Sequence, residues 1–342
     1  MHAGSWAQLV VPNQQQILGI ASNPIPPGGG GQSCQFANLM PWNPSSKSID
    51  MMIADHYGTG DNMQLTRYLE ASNAFEQTLP PGHTGVTGIG HGYNHLACNP
   101  RTGELFHHKF NGNQNFRKTL TDSAFKSFGG DAATHQVAEA CTWWTGAFNG
   151  AGAQGAYLVY ASGIKPGQMS AWDPLSQEWF WNGAVVTPNN GDTYHTVMQY
   201  SAPRNCAVFG GGNNANRKLW RLNSDHTITN MPDPPVGVGV TIGNFNVDPI
   251  SGNFLLLGQG QLWELNPSGA GTWTQQTGNR APPSGVGVPT AANTGVISSS
   301  LHEHGVLAYI TVVSMGSPCS FFLYKHAGQQ RHRHGSSASS AL

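Results

Sequence analysis

Charge is scarce in this sequence. Of 342 residues only 16 are Lys or Arg and 17 are Asp or Glu, a charged fraction of 10% against roughly 25% in an average soluble domain. No basic surface able to neutralise phosphates can be assembled from so few cations, which argues against a nucleic-acid partner. The mean hydropathy is -0.32 and no 18-residue apolar run occurs, so no membrane insertion is expected. Residues 1–30 hold no continuous apolar core ahead of Pro24, Pro26 and Pro27, and no secretory signal peptide is expected there. Metal-type cysteine spacing is missing too. Cys34, Cys98, Cys141, Cys206 and Cys319 are scattered and read as reduced, buried small hydrophobes. A nucleophile elbow, a phosphate-binding loop and the HExxH zinc motif are all absent. The glycine run at 28–31 follows two prolines, precedes no Lys-Ser/Thr pair, and reads as a loop.

What is abundant is turn and aromatic chemistry. Gly (44) and Pro (22) accompany 10 Trp, 14 Phe and 9 Tyr, a mixture that calls for short aromatic strands between many turns. The best helical candidate, residues 123–140, is interrupted by Gly129 and Gly130 and is at most a short surface helix. Hairpin phrases recur at Asn43-Pro44, Asn99-Pro100, Ala202-Pro203 and Asp248-Pro249, separated by 56, 103 and 46 residues. The middle gap holds a degenerate unit near 148–155, and a sixth follows His302-Glu303-His304-Gly305. An aromatic strand trails most turns, as in Tyr68, Trp172, Trp220, Trp263 and Tyr324, with Phe110 as the weaker mark of the second unit. Outer strands follow around Phe75, Trp179 and Trp273. A four-stranded meander of about 50 residues, repeated six times, cannot cover its own faces and closes best as a ring. The expected fold is therefore all-β, a six-bladed β-propeller of four-stranded antiparallel blades with seven as the alternative count. It occupies residues 1–330 as one domain, and a short basic Ser/Ala-rich tail spans 331–342.

The segment Cys206-Ala207-Val208-Phe209-Gly210-Gly211-Gly212, followed by Leu219-Trp220-Arg221-Leu222-Asn223, resembles a kelch-type blade. Ser170-Ala171-Trp172-Asp173-Pro174 with Trp179 resembles the second half of one. The resemblance is to the kelch and galactose-oxidase-like propeller group. It implies a fold that hosts oxidases, lyases, lectins and adaptor modules, and leaves function to the site.

In such a ring the innermost strands line an axis, and the segments entering them carry imidazoles and phenols. His91, Tyr93, Asn94 and His95 stand in the second unit, Tyr194 and His195 in the fourth, His302 in the sixth, and Trp143 with Trp144 in the third. Three chemistries compete for this set. A catalytic group of His91, Tyr93, Tyr194, His195 and His302 would provide the acid–base pair of a polysaccharide lyase. Its uronate substrate also needs cations, for which Arg101, Arg204, Arg217 and Arg221 are the candidates. A metal reading places a divalent ion, in the manner of a copper oxidase, on His91 and His95; otherwise no cofactor is expected. The third reading is recognition without turnover, with Asn94, Trp143, Trp144, Asn213 and Asn214 contacting a ligand, and Trp42 and Trp181 as further stacking faces.

Low charge and the weight of Trp, Asn, Ser and Thr favour the third. The expected function is a non-enzymatic recognition or structural propeller binding carbohydrate or a protein neighbour. A homo-oligomer or larger assembly fits, and the composition is similar to that of virion surface proteins. The expected location is extracellular or on a virion surface, with Arg331-His332-Arg333-His334 as a tether. The alternative is a polysaccharide-active enzyme.

Overall fold

The structure, a computed structural model, describes residues 1–18, 37–54, 61–88, 90–110, 112–130, 139–148, 154–161, 168–184, 195–213, 217–240, 242–286, 295–312 and 319–327. Within them lie β1 (Ser5–Leu9), helix α1 (Gln14–Leu18) and five sheets that follow chain order. Blade 1 holds β2 (Trp42–Asn43), β3 (Ser48–Ala54), β4 (Met63–Leu69) and β5 (Ala74–Leu79). Blade 2 holds β6 (Leu96–Cys98), β7 (Leu105–His108), β8 (Gln114–Lys118) and β9 (Lys126–Gly130). Blade 3 holds β10 (Ala140–Trp144), β11 (Ala156–Ala161), β12 (Gln168–Asp173) and β13 (Glu178–Ala184). Blade 4 comprises β14 (Val197–Ser201), β15 (Cys206–Gly210), β16 (Leu219–Asn223) and β17 (Ile228–Asn230). Blade 5 comprises β18 (Asn244–Val247), β19 (Phe254–Gly258), β20 (Gln261–Asn266) and β21 (Thr272–Gln276). Blade 6 combines β22 (Gly295–Leu301), β23 (Val306–Val312) and β24 (Cys319–Lys325) with β1, which pairs antiparallel to β24 as its outermost strand. The ring is thus latched by joining the first strand to the last, with Trp6 stacked on Tyr324 at 4.3 Å. The six-bladed architecture stands as expected from the repeats.

Stacking explains why the strands read as apolar runs rather than as alternating patterns. Both faces of a blade are covered by neighbours, so every residue of β3 is buried, as happens wherever a sheet is packed on two sides. Six apolar clusters result, one in each seam between blades. Successive side chains serve opposite seams: Trp143 packs between blades 2 and 3, Trp144 between blades 3 and 4. Burial of each such side chain contributes roughly 1.5–3 kcal/mol.

Two details differ from the sequence reading. Residues 126–130 form β9, the outer strand of blade 2, where at most a short surface helix was expected. Pairing with β8 satisfies its backbone, and Gly129 adopts a left-handed φ of 101° that a helix cannot hold. In the same blade the aromatic of the third strand is Phe116 on β8, not Phe110. Cys98, Cys141, Cys206 and Cys319 are free and buried; Cys34 and the basic tail lie outside the described residues, as does the glycine run at 28–31.

All innermost strands run the same way, as the parallel bridges Ala37 to Tyr93, Leu39 to Ser298 and Asn94 to Ala140 require. Connections between blades therefore gather on one face, called upper, and the first hairpin turn of each blade on the lower face. In five of those turns a left-handed residue completes the reversal: Lys47, Gly103, Asn205, Gly252 and Gly305. Gly252 shows why glycine suits the place, since a Cβ would lie 2.6 Å from Ser201 Oγ of the adjoining blade, the hydroxyl that donates to the Gly252 carbonyl at 2.8 Å.

Candidate functional site

The axis divides into three levels. At the upper level, residues 90–95 meet the start of blade 4. Tyr93 and His195 both sit in left-handed backbone, with φ of 40° and 64°, and their rings are 5.3 Å apart. His91 lies edge-on to Tyr93 at 5.1 Å and to Phe110 at 4.7 Å. The His195 ring shares a hydrogen bond with Asn213 Oδ1 at 2.5 Å. Left-handed non-glycine residues cost of order 1–3 kcal/mol each and persist where packing over-determines them.

Three of the five proposed catalytic residues, His91, Tyr93 and His195, thus come together, with Asn213 beside them. Tyr194 and Asn214 lie outside the described residues. His302 does not join: it stands in the β22–β23 turn on the lower face. The reason is directional, because the innermost strand of blade 6 ends just before His302, whereas those of blades 2 and 4 begin just after His95 and His195. His95 also departs from the metal reading, in which His91 and His95, four residues apart on one strand, would point to the same face. The left-handed Tyr93 breaks strand alternation, and His95 turns into blade 2, 5.5 Å from His108 and 6.2 Å from His107. Burial first, then the neighbouring His108, His107 and His91, hold the His95 imidazole well below its ordinary range. Burial and His108 push His107 down to about 3. His108 itself bridges Asn115 Oδ1 at 3.1 Å and Glu139 at 3.0 Å, all three buried. Among the described residues no group of three or more His, Cys, Asp or Glu is arranged to hold a metal ion.

Of the arginines offered as uronate partners, Arg204 binds Asn253 Oδ1 at 2.7 Å on the lower side. Arg221 donates to the carbonyls of Pro267 and Gly269, and Arg101 lies in the β6–β7 turn of the lower face. Only Arg217 of the four is in an upper connection, and it is exposed.

The middle level is a plug. Asn94 accepts a 2.6 Å hydrogen bond at its Oδ1 from the Met198 N–H, spanning blade 2 to blade 4. Asn244 Nδ2 donates at 2.9 Å to the Asn38 and Val296 carbonyls, spanning blade 5 to blades 1 and 6. Asn38, Asn94 and Asn244 are essentially inaccessible, so Asn94 is a structural tie across the axis.

Below the plug opens a cavity of about 400 Å³ that receives residues from all six blades. Its depth is formed by Leu39, Met40, Leu96, Thr142 and Asn246, and its mouth by Pro44, Pro100, Ala202, His302 and Glu303. Trp42, Trp143, Gln199, Tyr200 and Ser300 complete the walls. His302 is solvent-exposed at the mouth; partial desolvation there, opposed by Asp248, lowers its pKa. Trp144 is not at the cavity; it is wholly buried 4.5 Å from Tyr200 in the next seam. Sequence reasoning looked to the upper mouth and passed over Gln199, Thr142, Asn246 and Ser300. Their signal was positional, since each sits within a few residues before a first hairpin turn.

No family model and no curated protein matches this chain. Solved structures do match in fold. An auxiliary nutrient binding protein from Bacteroides thetaiotaomicron superposes with a TM-score of 0.53 at 12% identity, covering 86% of this chain and 69% of the other. A nidogen/laminin complex gives a TM-score of 0.47 at 4% identity, covering 68% and 76%. Such identities speak to the propeller fold alone.

Proposed function

We propose that this propeller is a recognition module that binds carbohydrate in the lower axial cavity without chemical turnover. One observation carries the reading: the cavity of about 400 Å³ presents Trp, Tyr and Pro surfaces beside Thr, Gln, Asn and Ser side chains, the mixture on which sugar rings stack and hydrogen-bond. The volume falls in the ordinary range of small-ligand sites, roughly 300–1,000 Å³. Membership of the kelch-like group and a place outside the cell or on a virion surface belong to the same proposal. The glycines at 210–212 support the former, because a Cβ at Gly211 would meet the Val238 carbonyl oxygen at 2.4 Å.

A second reading has its own observation. The paired left-handed Tyr93 and His195 beside His91 are the kind of strained cluster that acid–base chemistry uses. One screen separates the two. Immobilised neutral and acidic polysaccharides are offered to the protein, and retention is measured together with release of unsaturated or newly reducing ends. Retention without product is expected. Unsaturated product formed by the wild type and abolished in Tyr93→Phe would instead assign a lyase.

A further inference from the structure

The carbohydrate reading leaves open which part of a glycan is bound, and the axis answers it. Resting on that reading, we infer that the lower cavity is a blind pocket for the terminal residue or two of a neutral glycan chain. It is not a tunnel through which a polymer threads.

Two features set the geometry. Among the described residues the pocket opens on the lower face, between the first hairpin turns that carry Pro44, Pro100, Ala202 and Glu303. Its far end is shut by the parallel bridges at Ala37, Leu39 and Asn94 and by asparagine hydrogen bonds that cross from blade 2 to blade 4 and from blade 5 to blades 1 and 6. A chain entering from below meets this plug after one depth of the cavity. Only an end can seat there.

Two more features set the chemistry. Gln199 is buried, lines the cavity, and its Nε2 finds no hydrogen-bond partner among the described residues. The indole N–H of the lining residue Trp42 is likewise without a partner there. These are donors on blades 4 and 1, so the complementary ligand brings acceptor oxygens, as hydroxyl, ring or acetamido groups do. A carboxylate or sulfate is disfavoured. No Lys or Arg lines the cavity, and the one carboxylate at its mouth, Glu303, is matched by Lys47 at 2.6 Å. An anionic sugar would be desolvated beside Glu303 with no cation to receive it.

The test is calorimetric titration of the full chain with linear neutral oligosaccharides of the gluco, manno, galacto and N-acetylglucosamine series, from two to six residues, and with oligogalacturonate. The expected result is one neutral series whose molar affinity is the same from two to six residues, with oligogalacturonate at least tenfold weaker. Gln199→Ala should weaken binding about tenfold, the loss of one buried hydrogen bond, and Thr142→Val, close to isosteric, severalfold. An affinity that climbs with chain length, equal binding of oligogalacturonate, or unchanged affinity in both variants would overturn the blind-pocket inference while leaving glycan binding intact. Failure to bind any glycan would overturn both readings. If an immobilised peptide were then retained in a Gln199-dependent way, the pocket would pass to a polypeptide end.

Discussion

The two faces of this ring are built from the same blades and behave differently. On the lower face short turns are tied blade to blade by side chains. Asn43 donates to the Gly103 carbonyl at 3.0 Å, Ser300 to Asn246 at 2.7 Å, and Tyr200 to the Thr145 carbonyl at 2.8 Å. On the upper face long connections enter the axis through left-handed residues and a buried imidazole network. The lower ties are local, repeated and redundant. The upper network joins His95, His108 and Glu139, on the side of blade 3, to His107, which faces Phe125 on the other side of β7. A cavity with fixed walls forms where ties repeat, while the buried imidazoles gather above it.

The largest effect expected from breaking this comparison is at Asp50. It is fully buried, and burial raises its pKa against the opposing Arg67, Asn43 and Ser48. Asn43 Nδ2, bonded to Asp50 at 3.0 Å, is also the group that reaches the next blade. Arg67→Met strands a buried carboxylate beneath that tie and should cost about 3–5 kcal/mol in chemical denaturation. A loss below about 1 kcal/mol would mean that the lower face is not held in this way.

Acid should act next, through the upper network. His107 has an ordinary imidazole pKa of 6.5 when unfolded and about 3 when folded. Between these values the unfolded chain binds the proton and the folded protein does not, so stability is full above pH 6.5 and falls as pH drops toward 3. His95 shifts in the same direction. Stability measured against pH should fall less steeply over this window in His107→Gln than in the wild type. Equal slopes would remove the imidazole network from the account.

The smallest effect is expected at the upper cluster. Asn adopts left-handed backbone more readily than His, and His195 is only partly buried, so His195→Asn should change stability by no more than about 0.5 kcal/mol and leave glycan retention unaltered. Lost retention with stability preserved would move the ligand to the upper face.

Much of the ring was legible in the chain. Asn43, Asn99, Ala202 and Asp248 mark first hairpins because a left-handed residue or glycine follows three or four residues later, and Trp172, Trp220 and Trp263 mark third strands because seams on both sides demand bulk. The latch was not, since Ser5–Leu9 carries no turn marker, and its partner lies at the other end of the chain. The strand at 126–130, within the best helical candidate, was hidden for a similar reason: β9 is specified by pairing with β8, and its own residues have little preference. Of the site, the meeting of His91, Tyr93 and His195 followed from their shared place in the repeat. His302 was misplaced because it belongs to a turn at the opposite end of its strand.

The sequence by itself determined the repeating four-stranded blade, its turns and the apolar character of its strands, which rest on residues near in the chain and on a period that repeats. Only the tertiary structure decided that asparagines tie the blades together across the axis, that the cavity opens below, and that Gln199 Nε2 stands there with no hydrogen-bond partner among the described residues. Those features arise where six distant segments converge, and no local spacing encodes the distance between residues of different blades.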